Sequence, residues 1–159
     1  MMDTFANVFA DLPVLVTGHT GFKGSWLAIW LQELGARVAG FSLPQLPTDP
    51  CNFAVCRLQQ RLADERGDVR DLHALKRVFD AHRPQVVFHL AAQPLVLTAY
   101  EDPKETFDTN VGGTVNLLEA VRATDSVRAV VCITTDKVYE NREWVWGYRE
   151  IDRLGGHDP

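Results

Sequence analysis

Pro13-Val14-Leu15-Val16-Thr17-Gly18-His19-Thr20-Gly21-Phe22-Lys23-Gly24 is the stretch that decides the fold. A short apolar strand runs into glycines spaced G-x-x-G-x-x-G. Pro13 stands at the strand edge, where a missing N–H is tolerated. Phe22 to Leu34 then takes a helical period, with Trp26, Ile29, Trp30 and Leu34 on one face, Leu27 and Leu31 widening it, and Gly35 stopping it. In such a turn Gly18 permits the bend, Gly21 lets the backbone approach a pyrophosphate, and Gly24 lets the helix pack close to the strand. The helix start presents free N–H groups and a partial positive charge to an anion. Thr20, Phe22 and Lys23 join the glycines as cofactor-binding candidates, although Lys23 also reads as a solvated helix-start residue. A phosphate loop of the Gly-Lys-Ser kind is rejected, because Lys23-Gly24-Ser25 inverts that order and moves the lysine off the phosphates.

Outward from this turn, strand and helix alternate. Strands are expected at Arg37 to Phe41, Glu65 to Val69, Gln85 to Leu90 and Val127 to Ile133. Ser42 to Pro50, with three prolines, is a loop, and Asn52 to Leu62 is a short helix. Asp71 caps a helix that runs to His82. Glu101 to Ala123 reads as one long helix, with Phe107, Val111, Val115, Leu118 and Val121 in register and Pro103 near its start. Near-continuous apolar strands between helices mean a parallel sheet covered on both faces. The expected fold class is α/β, a Rossmann-type doubly wound sheet of order 3-2-1-4-5, with its ligand crevice at the carboxyl ends of the strands. Residues 1–133 form this domain. Residues 134–159 lack a period and read as an active-site loop region, cut short before the last strands and a substrate domain.

Composition narrows the function. The chain has 159 residues, with 16 Lys and Arg against 21 Asp and Glu, for a net charge of −5. That balance argues against a nucleic-acid-binding or anionic-membrane surface. An apolar fraction of 46% suits a buried core. No stretch approaches a membrane span, and Met1 to Ala10 does not read as a signal peptide. Cys51, Cys56 and Cys132 form no metal-ligand pattern and read as reduced thiols in a cytoplasmic protein. No metal is expected.

The remaining candidates lie at strand ends. The acid that usually closes the second strand and holds the adenosine ribose is missing; Phe41-Ser42-Leu43 stands there. No Arg or Lys follows, so NADP is not favoured, and the residues alone leave NAD against NADP open. Asp68 and Val69 either flank an adenine or supply a helix-capping Asp. Small residues after the fourth strand, Ala91 and Ala92, let backbone pass close to a cofactor, or simply pack. His89 reads as a core residue. Gly112-Gly113 inside a helical pattern signals a close approach to the sheet or to a partner helix. At the end of the fifth strand, Thr134-Thr135-Asp136-Lys137 brings hydroxyl, carboxyl and amine groups together. A hydroxyl can bond a substrate oxygen, a carboxyl can donate a proton and a desolvated lysine can accept one; the alternative is a surface turn with an ion pair.

Several strings are similar to those of the extended short-chain dehydrogenase/reductase family. They are Val16 to Trp26, Gly67-Asp68-Val69-Arg70-Asp71, Phe88 to Val96, Thr109-Asn110-Val111-Gly112-Gly113-Thr114, Thr134 to Trp144 and Trp146-Gly147-Tyr148-Arg149-Glu150, followed by Gly155 to Pro159. Thr-Asp-Lys at 135–137, where related sugar-nucleotide enzymes usually have Thr-Asp-Glu, resembles the branch of 4,6-dehydratases that act on CDP-glucose.

The resemblance implies NAD as cofactor and CDP-glucose as substrate. Hydride leaves sugar carbon 4, the proton on carbon 5 is removed, water is lost from carbons 5 and 6, and hydride returns to carbon 6. The product would be CDP-4-keto-6-deoxyglucose, for deoxysugar and lipopolysaccharide O-antigen biosynthesis. Thr135 would bond the 4-oxygen, Asp136 would protonate the leaving hydroxyl, and Lys137 would be the base. Leu90, Thr109 and Thr134 would join the cofactor site. Gln93, Trp144, Trp146, Tyr148 and Arg149 would line the sugar-nucleotide side, although loop packing accounts for the aromatics equally well. Leu97 departs from the family's arginine. The family's Tyr-x-x-x-Lys would begin just after Pro159, so the chain reads as the amino-terminal cofactor half, inactive alone. A homodimer through the 101–123 helix is also implied. Two alternatives stand beside this reading: another nucleoside-diphosphate-sugar epimerase or dehydratase, and a non-catalytic dinucleotide-binding module. The half-enzyme reading expects an exposed edge at the fifth strand and uncovered apolar surface.

Overall fold

Val14 and Val16 face one side of β1 (Pro13–Thr17) and Leu15 faces the other, and all three are buried. A strand buried on both faces is the centre of a covered sheet. The structure, a computed structural model, describes residues 4–156; the side chains of Thr4 and Asp136 lie outside that description. Around β1 the chain adds α1 (Phe22–Glu33), β2 (Arg37–Ser42), the short α2 (Asn52–Val55), β3 (Ala63–Arg66), α3 (Leu72–His82) and β4 (Val86–His89). It continues with α4 (Val96–Glu101), α5 (Pro103–Phe107), α6 (Gly113–Arg122) and β5 (Ala129–Cys132). The sheet has five strands in the order β3-β2-β1-β4-β5, all paired in parallel. This is the doubly wound order expected from the sequence.

Each face has its own core. α1 packs Ala28 and Leu31 with Val14, Val16 and Val38. On the other face α3 and α6 bring Leu75, Val78, Phe79, Leu117 and Ala120 to Leu15, Ala39, Phe41 and Val87. Asp71 caps α3 as expected, its carboxylate accepting from the N–H groups of His73 and Ala74 at 2.8 and 3.1 Å.

Four expectations need correction. The helix expected over 52–62 ends at Val55, and Arg57 takes the left-handed region at φ 51° before a 3-10 turn at Leu58–Gln60. The buried face of α1 is Gly24, Ser25, Ala28 and Leu31, while Trp26 and Trp30 are each 54% exposed. The reason is the glycine turn, which seats the helix start so close that a Cβ on Gly24 would collide with the Gly18 carbonyl. Only small side chains fit under the helix there, so the indoles turn outward. The third strand ends at Arg66, earlier than Val69, because the backbone leaves the sheet at Gly67, where a Cβ would lie 2.7 Å from the Phe41 ring.

The expected helix over 101–123 is not continuous. Asp102 sits outside the helical region at φ −135°, ψ 79°, as the residue before Pro103 is pushed to do. It ends α4 and caps α5, its carboxylate accepting from Glu105 N–H at 2.9 Å. A π-helical turn at Asp108–Gly112 then joins α5 to α6. The apolar stripe that suggested one helix faces outward: Phe107, Val111, Val115 and Leu118 are 47–57% exposed. Gly113 does meet a close neighbour, since a Cβ there would lie 2.6 Å from Val69 Cγ2, but one on Gly112 would meet open space.

Candidate functional site

The carboxyl ends of β1, β2 and β4 converge on the glycine turn. Gly18 has φ +73°, which L side chains rarely adopt, and donates its N–H to Phe41 O at 2.9 Å. A Cβ on Gly18 would lie 2.8 Å from the backbone of Leu90 and Ala91, so the turn is pressed onto the end of β4. Gly21 closes the turn with its N–H on Gly18 O at 3.0 Å and starts α1 with no side-chain cap. The first turn of α1 holds no acid, Lys23 is exposed beside it and Phe22 is 76% exposed. Uncapped amides, a lysine and no Cβ at Gly18 or Gly21 suit an anionic diphosphate. The residues present therefore fit the dinucleotide that the motif implies.

A directed string of hydrogen bonds holds the turn to β4 and α6. Thr17 Oγ1 accepts the N–H groups of Leu90 and Ala91, each at 3.2 Å. Its own proton goes to His89 Nδ1 at 2.7 Å. His89 Nε2–H then donates to Thr114 Oγ1 at 3.2 Å, and Thr114 donates to Asn110 O at 2.6 Å. Asn110 in the π-helical turn pairs with the Gln93 backbone, accepting its N–H at 2.7 Å and donating to its O at 3.0 Å. His89 is the core residue it was expected to be, and burial pushes its pKa below the ordinary 6.5. The Gln93 amide turns into its own loop, where it bonds Leu95 and Thr106.

A second cluster went unnoticed in the sequence. His19 is fully buried inside the turn. Its Nδ1 lies 2.8 Å from Ser42 Oγ and its Nε2 lies 2.8 Å from Asp64 Oδ1. The Phe53 ring stands edge-on at 5.2 Å. Burial lowers the His19 pKa, against the opposing pull of the Asp64 carboxylate, so the imidazole is neutral near pH 7. Since a carboxylate only accepts, Nε2 carries the proton and Ser42 O–H donates to Nδ1. The signal that could have found this cluster is Gly40, a glycine within a strand, where a Cβ would overlap the imidazole.

The other candidates lie further along the same edge. Asp68 is not a helix cap. Burial alone would raise its pKa, but Arg70 outweighs that and holds the carboxyl below its usual range, donating through its backbone N–H at 2.8 Å and its guanidinium at 2.6 and 2.9 Å. Val69 is buried against Gly113. Ala91 and Thr109 are half-buried and Ala92 is exposed.

Beyond β5, Thr134, Thr135 and Lys137 are all exposed, and Lys137 N–H donates to Thr135 Oγ1 at 3.2 Å. The Asp136 side chain lies outside the described residues. The chain then folds back: Tyr139 bridges Leu154, Tyr139 and Tyr148 stack at 5.2 Å, and Trp144 leans on Tyr148 at 5.6 Å. Arg149 pairs with Asp152 at 3.2 Å, and Trp146 is 72% exposed. A separate groove of about 520 Å³ opens at the opposite, amino-terminal ends of the strands, between Pro13, Arg37, Gln60, Ala63 and His82. It holds none of the glycine-turn groups, and ligands of doubly wound sheets bind at the other end.

Comparison with known proteins gives a consistent neighbourhood. The family model for GDP-mannose 4,6 dehydratase matches residues 15–150. CDP-glucose 4,6-dehydratase of Salmonella typhimurium is 54% identical over 153 residues, covering 96% of this chain and 42% of the relative. A solved UDP-glucose-4-epimerase from Stenotrophomonas maltophila, with bound NAD and formylated UDP-arabinopyranose, superposes with a TM-score of 0.80 at 25% identity, over 92% of this chain and 44% of that one. The Thermus thermophilus UDP-glucose 4-epimerase complex with NAD gives 0.77 at 30% identity, over 91% and 45%. The chain thus spans about half the length of the relatives it matches.

Proposed function

The chain belongs to the GDP-mannose 4,6 dehydratase family, and on that footing we propose that it is the cofactor-binding portion of an NAD-dependent 4,6-dehydratase acting on CDP-glucose. The observation that carries this reading is the glycine turn, pressed onto the end of β4 with an uncapped helix start beside it. NAD-bound solved relatives share the fold, and the name of the 54% identical relative supports CDP-glucose as the substrate. Residues 1–133 are the dinucleotide domain and 134–159 begin the sugar-nucleotide region.

Gly18, Thr20, Gly21, Phe22, Lys23 and Gly24 would hold the diphosphate, Asp68 and Val69 the adenine side, and Leu90, Ala91, Ala92, Thr109 and Thr134 the rest of NAD. Bound there, NAD supplies hydride acceptance and return. Thr135 bonds the sugar 4-oxygen, Asp136 gives a proton to the leaving 6-hydroxyl, and Lys137 takes the carbon 5 proton. A lysine is a base only when neutral, and desolvation favours that form. Lys137 is exposed here, so its role depends on cover from the bound sugar and the rest of the protein. Gln93, Trp144, Trp146, Tyr148 and Arg149 line the sugar-nucleotide side. The outward stripe of Phe107, Val111, Val115 and Leu118 pairs two copies. Among the described residues no helix is long and apolar enough to cross a membrane, and the three free thiols support a cytoplasmic setting.

The test is to give the full-length protein NAD with CDP-, dTDP-, UDP- or GDP-glucose and weigh the products. CDP-glucose is expected to lose one water and gain a ketone. An isomer of unchanged mass would replace this reading with epimerisation, the chemistry named for the solved neighbours.

A further inference from the structure

Ser42 closes β2, where doubly wound sheets usually carry the acid that bonds the adenosine ribose. Its register partner on β3 is Arg66. An arginine beside the ribose is what accommodates a 2′-phosphate, so position alone would suit NADP. The hydrogen bonds oppose it. Arg66 Nε and Nη2 each lie 2.8 Å from an oxygen of Asp64, a bidentate pair. Nη1 donates to Leu43 O at 3.0 Å, and the guanidinium carbon stands 5.0 Å above the Phe53 ring.

Asp64 is itself held in place. Its Oδ1 also accepts the Nε2–H of buried His19, which Ser42 anchors from the other side. Ser42 spends its only proton on that imidazole, so it has none for a phosphate oxygen. The Asp64 and Arg66 side chains are only 18% and 27% exposed, which limits rearrangement.

We propose that Asp64 sets the cofactor preference: by neutralising Arg66 and orienting His19 and Ser42, it denies a 2′-phosphate both a cation and a donor, and the site takes NAD in preference to NADP. This rests on the dinucleotide reading above. An acid on β3 thereby does, through its neighbours, what the missing β2 acid does by direct contact.

The test is direct titration of the full-length protein with NAD and with NADP. Asp64→Asn keeps an acceptor for His19 but turns an amide N–H₂ toward the guanidinium and frees it. The ratio of the two dissociation constants is expected to move at least about tenfold toward NADP. Asp64→Asn combined with Arg66→Gln is expected to return the ratio to within roughly threefold of the parent, a difference well under 1 kcal/mol. Circular dichroism checks folding, and Asp64→Ser serves where Asp64→Asn fails to fold. An unchanged ratio in the single variant, or a shift that survives loss of Arg66, overturns the proposal. A parent that binds both nucleotides equally overturns it while leaving the dinucleotide site standing; a parent that binds neither removes both.

Discussion

At the β1–β2 end of the cleft, Thr17, His19, Thr20 and Ser42 are at most 6% exposed, and each has a named partner. At the β5 end, Ala129 and Cys132 are exposed, and Val131 and Ile133 show 41% and 43% of their surface. Both ends belong to one sheet with the same strand chemistry. They differ in cover: β1 has a strand on each side and helices over both faces, while among the described residues β5 pairs only with β4. The end that would hold a nucleotide is held by its own packing and hydrogen bonds. The end that would do the chemistry stands on an apolar edge, the kind of surface that calls for cover.

Given that contrast, substitutions at the two ends fail in different ways. Lys137→Met is expected to cut turnover of CDP-glucose by the full-length protein by about 10²–10⁴-fold, the usual weight of a general base. In the 159-residue chain the melting temperature should stay put, because there an exposed side chain is lost. A variant that melts early yet turns over normally would break the comparison at the β5 end. Gly24→Ala should do the reverse, costing about 3 kcal/mol in chemical denaturation through overpacking against the Gly18 carbonyl. A neutral result would mean that the turn is looser than its geometry.

Smaller in effect, acid should weaken the buried end first. His19 and His89 both have pKa values lowered by burial from 6.5. The unfolded chain therefore binds more protons than the folded one, and stability rises with pH in that window. Unfolding free energy should be level above pH 6.5 and fall as pH drops through 6.5 toward the folded values. The Asp68 carboxyl, held low by Arg70 against its burial, acts separately: its contribution persists above pH 3.8 and is lost as pH falls below that. His89→Gln should flatten part of the upper window; a profile that keeps its full slope would assign the loss elsewhere.

The legible part of this molecule was what depends on local order. The strand–helix alternation that sets out from the glycine turn implied the sheet order, and Asp71 announced its cap. What escaped depended on contacts distant in sequence. The outward turn of Trp26 and Trp30 follows from how closely Gly24 meets Gly18, which an apolar count along a helix does not contain. The His19 cluster joins residues 19, 42 and 64 from three segments, and only Gly40 hinted at it. The break at Asp102 was readable from Pro103, since proline disfavours the helical region for its predecessor. The periodicity of Phe107, Val111, Val115 and Leu118 masked it.

The adjacent glycines at 112 and 113 offer the finest probe, because one belongs to the packed region and the other does not. Both sit in helical conformation at φ near −60°. Glycine there costs about 0.5–1 kcal/mol relative to alanine, through the freedom it loses on folding. At Gly112 nothing opposes the gain, so Gly112→Ala should stabilise by about that amount. At Gly113 the new methyl meets Val69 Cγ2 at 2.6 Å, and a β-branched neighbour yields poorly. Gly113→Ala should therefore lose stability although its intrinsic propensity is the same. Parallel denaturation of the two variants without cofactor reads the difference directly. Equal gains would show that Val69 moves aside, and would place the boundary between packed and open regions on the other side of α6.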